Sequence, residues 1–260
     1  MPVEAPDGDV TDDAVLSGRL RLLQPRRGHR FGHDAVLLAA ATAARDGDRI
    51  VDLGAGVGAA GLALAWRVGG ARVTLIDNDR NLAALAATNA ERNGLADRVD
   101  AVVLDIAADE AEFARAGLPP ASCDIVLMNP PFNDPHQHPG SPDPRRRVAH
   151  GLPRAAIPLW VAAAVRLLRP GGILTLVFRA DGLADLLGAL AHGFGAVAVK
   201  PIHPKPGADA IRILVGAVKG SRAPLAILPG LVLADDGGVP TPEAEAVLRQ
   251  GAALRLAGGP

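Results

Sequence analysis

A chain of 260 residues, 49% hydrophobic but only 3% aromatic, with a formal net charge of −1, can bury a large core of Ala, Leu and Val. That balance excludes a globally basic nucleic-acid binder, so any polyanion contact has to come from a local patch. The longest near-apolar run, residues 35–44, is half of the ~20 residues a membrane span needs.

Cys123, the single cysteine, cannot form an intramolecular disulfide and suits a reducing compartment. The opening residues carry Glu4, Asp7, Asp9, Asp12 and Asp13, the reverse of an export signal. A cytoplasmic protein is the expectation. Residues 1–14 have too little apolar surface to order and read as an acidic tail. One domain then covers 15–260, with an N-terminal hairpin and helix at 16–45 and terminal strands and a helix at 221–255.

In chain order, GRLRLLQPRRGHRFG (18–32) alternates and turns at Pro25–Gly28, predicting a hairpin, and Asp34 stands as an N-cap for AVLLAAATAA. Short apolar runs then alternate with helix-period segments. The strands read as RIVDLG (49–54), RVTLID (72–77), VDAVVLD (99–105), CDIVLMN (123–129) and GILTLVF (172–178). This pattern predicts an α/β fold with a mostly parallel sheet and crossover helices on both faces. Leu82, Leu85 and Ala86 share a helix face that Asn93–Gly94 closes. In the last third, AVAVKPI (196–202) and IRILVGAVKG (211–220) have no helix between them and should pair antiparallel. Thr241 or Pro242 opens a final helix.

VDLGAGVGAAG (51–61) joins the first of these strands to a helix, and its glycines let a ligand approach the backbone at a helix N-terminus. Gly56-Val-Gly58-Ala-Ala-Gly61 also matches a dinucleotide fingerprint, so NAD and S-adenosylmethionine compete locally. Asp52 and Gly54 extend it to D-x-G-x-G-x-G, in which a carboxylate can meet an amino group and the helix N-terminus a carboxylate. S-adenosylmethionine carries both groups on one amino-acid end. Asp77 can accept from ribose hydroxyls and Asp105 from an adenine amine, although each also reads as a plain cap or turn acid.

After the fourth strand comes Asn129-Pro130-Pro131-Phe132. The carboxyl ends of such strands border the ligand crevice. An amine on an aromatic base is a poor nucleophile because its lone pair is delocalised, so positioning is the main catalytic lever. The Asn129 side-chain oxygen and the Pro130 carbonyl can accept its two N–H groups, the prolines fix the backbone, and Phe132 offers a stacking face. The alternative is a simple chain turn.

With these motifs the sequence resembles class I S-adenosylmethionine-dependent methyltransferases of the NPPF/Y type, and more narrowly the tRNA1(Val) adenine-37 N6-methyltransferase family within the methyltransferase small domain group. The resemblance runs over about 16–255, through LLQPRRGHRFGHDAVLLAA, VDLGAGVGAAG, LID, VLD, MNPPF, LLRPGG and the tail KGSRAPLAILPGLVL. It implies a Rossmann-like seven-stranded sheet of order 3-2-1-4-5-7-6, S-adenosylmethionine as donor, a tRNA adenine as acceptor, and Asn129, Pro130 and Phe132 as catalytic residues. The residue matching Asp77 is commonly Glu in such relatives.

Arginine suits phosphate contacts. Arg27 and Arg30 before the glycine turn, and Arg145, Arg146 and Arg147 after the NPPF loop, are candidate RNA contacts, with solvated charge runs as the alternative. His33 and Asp34 either close over the cofactor or cap a helix. His136 and His138 lack a third ligand, so no metal is expected. Trp66 and Trp160 read as packing residues. Competing acceptors are a ribosomal RNA guanine N2, a protein glutamine N5, disfavoured by the lack of a long N-terminal helical region, and a small molecule. Outside methyl transfer stand an NAD-binding oxidoreductase and a non-catalytic binding module. The oligomeric state is not legible.

Overall fold

A computed structural model of the protein describes residues 10–27, 30–131 and 156–256. The chain opens with β1 (Val10–Val15) and β2 (Leu20–Pro25), an antiparallel hairpin. The hairpin therefore closes at 16–19, with Pro25 the last residue of β2 rather than the start of its turn, and residues 10–14 of the expected tail form its first strand. Leu16 and Ser17 turn the chain with φ of 51° and 55°, left-handed angles that non-glycine residues rarely signal in advance. Arg21 pairs with Asp12 at 3.1 Å and Arg30 with Asp13 at 2.9 Å, so the acidic start of the chain neutralises much of the basic segment opposite it.

The helix α1 (His33–Ala41) starts on Gly32, which has no side chain to cap it. Asp34 is thus in the first turn rather than at the N-cap, and its carboxylate is committed elsewhere. Then follow β3 (Arg49–Leu53), α2 (Ala59–Arg67), β4 (Arg72–Asp77), α3 (Arg80–Arg92), β5 (Val99–Val103), α4 (Glu110–Arg115) and β6 (Cys123–Met128). Past the undescribed segment come α5 (Ala156–Leu167), β7 (Leu168–Arg179), α6 (Leu183–Leu190), β8 (Phe194–His203), β9 (Arg212–Lys219), β10 (Ala226–Ile227), β11 (Leu231–Val232) and α7 (Pro242–Gln250).

Helix ends follow the local chemistry. Asp79 caps α3 by accepting from Asn81 and Leu82 amides, and Gly94 leaves it at φ 67°. Thr241 Oγ1 accepts from the Ala244 amide, with Pro242 in the first turn of α7.

The sheet runs β5-β4-β3-β6-β7-β9-β8, parallel except where β9 lies antiparallel between β7 and β8. Numbered from β3, this is the expected order 3-2-1-4-5-7-6. The expected count of seven is exceeded, because β10 and β11 both add to the outer side of β8 and give nine strands. The short strands expected after 221 thus join the main sheet.

Side chains alternate across this sheet. Ile50, Val73, Leu75, Ile125, Leu127, Val177 and Leu214 pack in one layer with α1, α2 and the hairpin. Val51, Leu53, Ile76, Val126, Met128, Leu176 and Val215 pack in the other with α4, α5 and α6. The same period places Asp52, Asp77, Arg179 and Arg212 on the α1/α2 face. Carried one residue past β6, it places Asn129 there too. Among the described residues no helix is long and apolar enough to cross a membrane.

Candidate active site

β3 leaves the sheet at Gly54, and the turn Gly54–Gly58 delivers the chain to α2 with φ of 68°, 56° and 87° at its three glycines. Two of these are glycine for different reasons. A Cβ on Gly54 would lie 2.3 Å from the Trp160 ring, whereas one on Gly56 would meet nothing within 4 Å. Trp160, on α5, therefore packs against the strand exit, and the turn is open at Gly56, where a ligand has room to approach the backbone.

Three acids surround the turn in different ways. Asp77, half-buried at the end of β4, accepts from the Gly56 amide at 2.8 Å and from the Asp79 amide at 2.9 Å. Both oxygens keep lone-pair capacity for hydroxyl donors, and burial raises its pKa. Asp52 is 2% exposed and accepts from the Gly61 amide at 2.9 Å. Through Oδ2 it braces the first turn of α2 from beneath. Burial pushes its pKa up to about 7, opposed by the Gly61 bond and reinforced by the Asp77 charge. Asp105, exposed beyond β5, accepts from the Ala107 amide at 2.8 Å, which is the turn-acid arrangement, at the same end of the sheet as Asp77.

Leu53 is level with Met128 in the β3–β6 register, so Asn129 emerges beside the glycine turn. Its Oδ1 is buried with no hydrogen-bond partner among the described residues, and the same is true of the Trp160 indole nitrogen, in a residue 6% exposed. Buried orphan groups are uncommon in native proteins. Pro130 is buried and Pro131 exposed. Phe132, Arg145, Arg146, Arg147, His136 and His138 lie outside the described residues.

The family profile described as "Methyltransferase small domain" matches residues 31–202. The chain belongs to the methyltransferase small domain family. It is 29% identical over 188 residues to a tRNA1(Val) (adenine(37)-N6)-methyltransferase of Phocaeicola vulgatus, covering 72% of this chain and 75% of the relative. A release factor glutamine methyltransferase of Chlorobaculum tepidum is 32% identical over 175 residues, or 65% of this chain and 58% of the relative. Among solved structures, a protein of Agrobacterium tumefaciens described as "a predicted O-methyltransferase" superposes with a TM-score of 0.73 at 32% identity, covering 85% of this chain and 98% of that one.

As a member of this family the protein is an S-adenosylmethionine-dependent methyltransferase. The residues present fit that cofactor. Gly56 leaves its side of the turn unfilled, Asp77 is already oriented by two amides, and α2 begins on Gly58 without a capping side chain, leaving its N-terminus suited to an anionic group. Among the described residues, no group of three or more His, Cys, Asp or Glu side chains is placed to hold a metal ion.

Of the candidate RNA contacts in this methyltransferase, Arg27 is exposed, while Arg30 donates to Thr11, Pro25 and Asp13 and so holds the hairpin together. Arg19 lies over Trp66 at 5.6 Å and donates to the Arg249 carbonyl. Sequence reasoning missed Asn89, which is fully buried on α3 and donates to the Val57 carbonyl of the turn at 3.0 Å. The signal was available, because Asn89 lies seven residues after Leu82 on the helix face that Ala86 also shares.

Proposed function

We propose that this methyltransferase acts on a planar, conjugated NH2 group, and that its acceptor is N6 of an adenine in tRNA. The observation that carries the reading is the Asn129 side-chain oxygen, buried without a partner among the described residues, on the same sheet face and at the same sheet end as the glycine turn.

An acceptor left unpaired beside Pro130-Pro131 is held ready for an incoming donor, because the prolines fix their own φ angles and restrict the residue before them. S-adenosylmethionine, when bound, supplies an electrophilic methyl group on a sulfonium. Asn129 Oδ1 and the Pro130 carbonyl accept the two N–H groups of the amine and draw the nitrogen away from planarity, which frees its lone pair. The nitrogen so held would take the methyl carbon as the carbon–sulfur bond broke, and would release one proton to water. Positioning of this kind is worth several orders of magnitude in rate. Cofactor contacts in this reading come from Gly54, Gly56 and Gly58 through the backbone, and from Asp77 and Asp105 through carboxylates. Asp52 acts on the cofactor through the turn it braces.

A second reading keeps the same loop. A glutamine side-chain amide is also a planar NH2, and the relative in Chlorobaculum tepidum is a release factor glutamine methyltransferase. The test is incubation of the protein with methyl-labelled donor and either unmodified total tRNA or a bacterial release factor, followed by mass spectrometry of nucleosides and peptides. Label on N6-methyladenosine supports the first reading. Label on glutamine alone replaces it with the second, and label on neither removes both.

A further inference from the structure

Three neighbouring strands end beside the Asn129 loop with a polar residue on the same face. β6 passes into Asn129, β7 ends at Arg179, and β9 begins at Arg212, directly opposite Arg179 in the antiparallel register. Met128 is level with Leu176, so Arg179 stands two residues beyond the level of Asn129. At about 3.3 Å per residue and about 4.8 Å between strands, the Arg179 backbone is roughly 8 Å from that of Asn129, and Arg212 roughly 12 Å. Both distances are within the span of a long side chain and one nucleotide.

Each guanidinium is held by a carboxylate from a different element. Arg212 Nε donates to Asp34 Oδ2 at 2.9 Å, which ties β9 to the first turn of α1, and Arg179 pairs with Asp181. All four side chains remain between a quarter and two-thirds exposed. Exposed pairs of this kind add little to stability, yet they keep two planar, permanently charged groups extended at the crevice end of the sheet. A phosphate offers each arginine the same two-oxygen geometry as a carboxylate, with greater charge.

We propose that Arg179 and Arg212 form a phosphate grip for the nucleotide whose base enters at Asn129, with Asp181 and Asp34 holding the two guanidiniums until the polyanion displaces them. This rests on the nucleic-acid reading above and deepens it. The arginines are positioning residues for the substrate. The carboxylates compete with it, and so disfavour weakly charged or neutral acceptors.

The test uses the full chain with unmodified tRNA and donor, measuring kcat, KM for tRNA, and the salt dependence of tRNA binding. Arg179→Gln and Arg212→Gln should each raise KM several-fold with little change in kcat, and each should lower the salt slope by about 0.7–1. Arg→Lys at either site should keep the slope. Asp34→Asn and Asp181→Asn should tighten tRNA binding at fixed salt, the opposite of what loss of a purely structural ion pair would do. Unchanged KM and slope in the Arg179→Gln/Arg212→Gln double variant, with a wild-type enzyme that methylates tRNA, would overturn the grip and leave the proposed function standing. Weaker binding by the two Asn variants, at unchanged melting temperature, would also overturn it. A wild-type enzyme that methylates no RNA removes both.

Discussion

Asn89 holds Leu23 through both backbone groups of that residue, accepting from its amide at 2.7 Å and donating to its carbonyl at 2.9 Å. The same amide group donates to the Val57 carbonyl in the glycine turn. One buried side chain on α3 therefore fastens the N-terminal hairpin and the cofactor turn to each other, and the folding of one is linked to the geometry of the other.

Asn89→Ala should strip partners from the Leu23 amide and from the Leu23 and Val57 carbonyls, the last of these in a buried bond. A fully buried group left unpaired costs about 1–3 kcal/mol. The Val57 carbonyl bond is buried and the two Leu23 bonds are part-buried, so water takes up some of the three lost partners and a total loss of about 3–5 kcal/mol, the low end of the summed range, is expected. Urea unfolding checks the stability. Calorimetry checks a second outcome, weaker S-adenosylmethionine binding, because Val57 is no longer anchored. Asn89→Asp keeps the acceptor for Leu23 but loses both donors, and should be intermediate at low pH and worse at neutral pH.

The two open-angled glycines separate packing from ligand approach. Gly54→Ala drives a methyl group into the Trp160 ring and also carries left-handed strain at φ 68°, so it should destabilise the fold by about 2–5 kcal/mol, with recovery of the clash part alone in a Gly54→Ala/Trp160→Leu double variant. Gly56→Ala meets no protein atom, so its stability loss should be limited to left-handed strain of about 1–2 kcal/mol. Its larger effect should be on cofactor affinity, because the added methyl occupies the space over the turn. Melting curves with and without S-adenosylmethionine distinguish the two: the cofactor should raise the melting temperature of Gly54→Ala but hardly that of Gly56→Ala.

Burial of Asp52 gives stability a pH dependence of definite sign. Its pKa in the folded state is about 7, against about 3.9 when unfolded. Between those values the folded chain holds a proton that the unfolded chain has lost. The contribution of Asp52 is therefore lost as pH rises from about 4 to about 7, and the full penalty stands above that window. At about 1.4 kcal/mol per pKa unit this is on the order of 2–4 kcal/mol. Asp52→Asn keeps an oxygen for the Gly61 amide and removes the titration. Urea midpoints at pH 5 and pH 8 should differ less in the variant than in the wild type, with the variant the more stable at pH 8.

The parallel core was legible because its signals are local. Apolar strands of five or six residues, glycine at a strand exit and a helix between each pair of strands need no knowledge of distant partners. The same holds for the antiparallel β8–β9 pair, where HPKPGADA leaves no room for a crossover helix. The hairpin was misplaced for the opposite reason. VTDDAV has little strand propensity, and it is held by Arg21, Arg30 and Arg92 reaching Asp12 and Asp13 from elsewhere in the chain. At the site, Asn129 and Asp77 were marked by their place at strand ends. The bond from the Gly61 amide to Asp52 was not legible, because sequence spacing puts Asp52 at a strand tip without saying that α2 covers it. The Arg179–Arg212 apposition depends on the β7–β9 register, which residues separated by a helix and a strand do not reveal.

Asn129 is the residue on which the catalytic reading turns, and its removal should affect rate without affecting fold. Its Oδ1 has no partner among the described residues, so Asn129→Ala leaves no donor of those residues unpaired there, and a stability change under about 1 kcal/mol is expected. The amine of the acceptor, however, loses one of its two hydrogen-bond acceptors. A misplacement on the order of 1 Å costs about 100-fold in rate. Single-turnover methyl transfer should therefore fall by at least that factor, with S-adenosylmethionine affinity by calorimetry within twofold of wild type. Asn129→Asp retains the oxygen and should recover part of the rate. An alanine variant that transfers methyl groups at the wild-type rate would mean that the unpaired oxygen serves no acceptor, and that the chemistry takes place away from the end of β6.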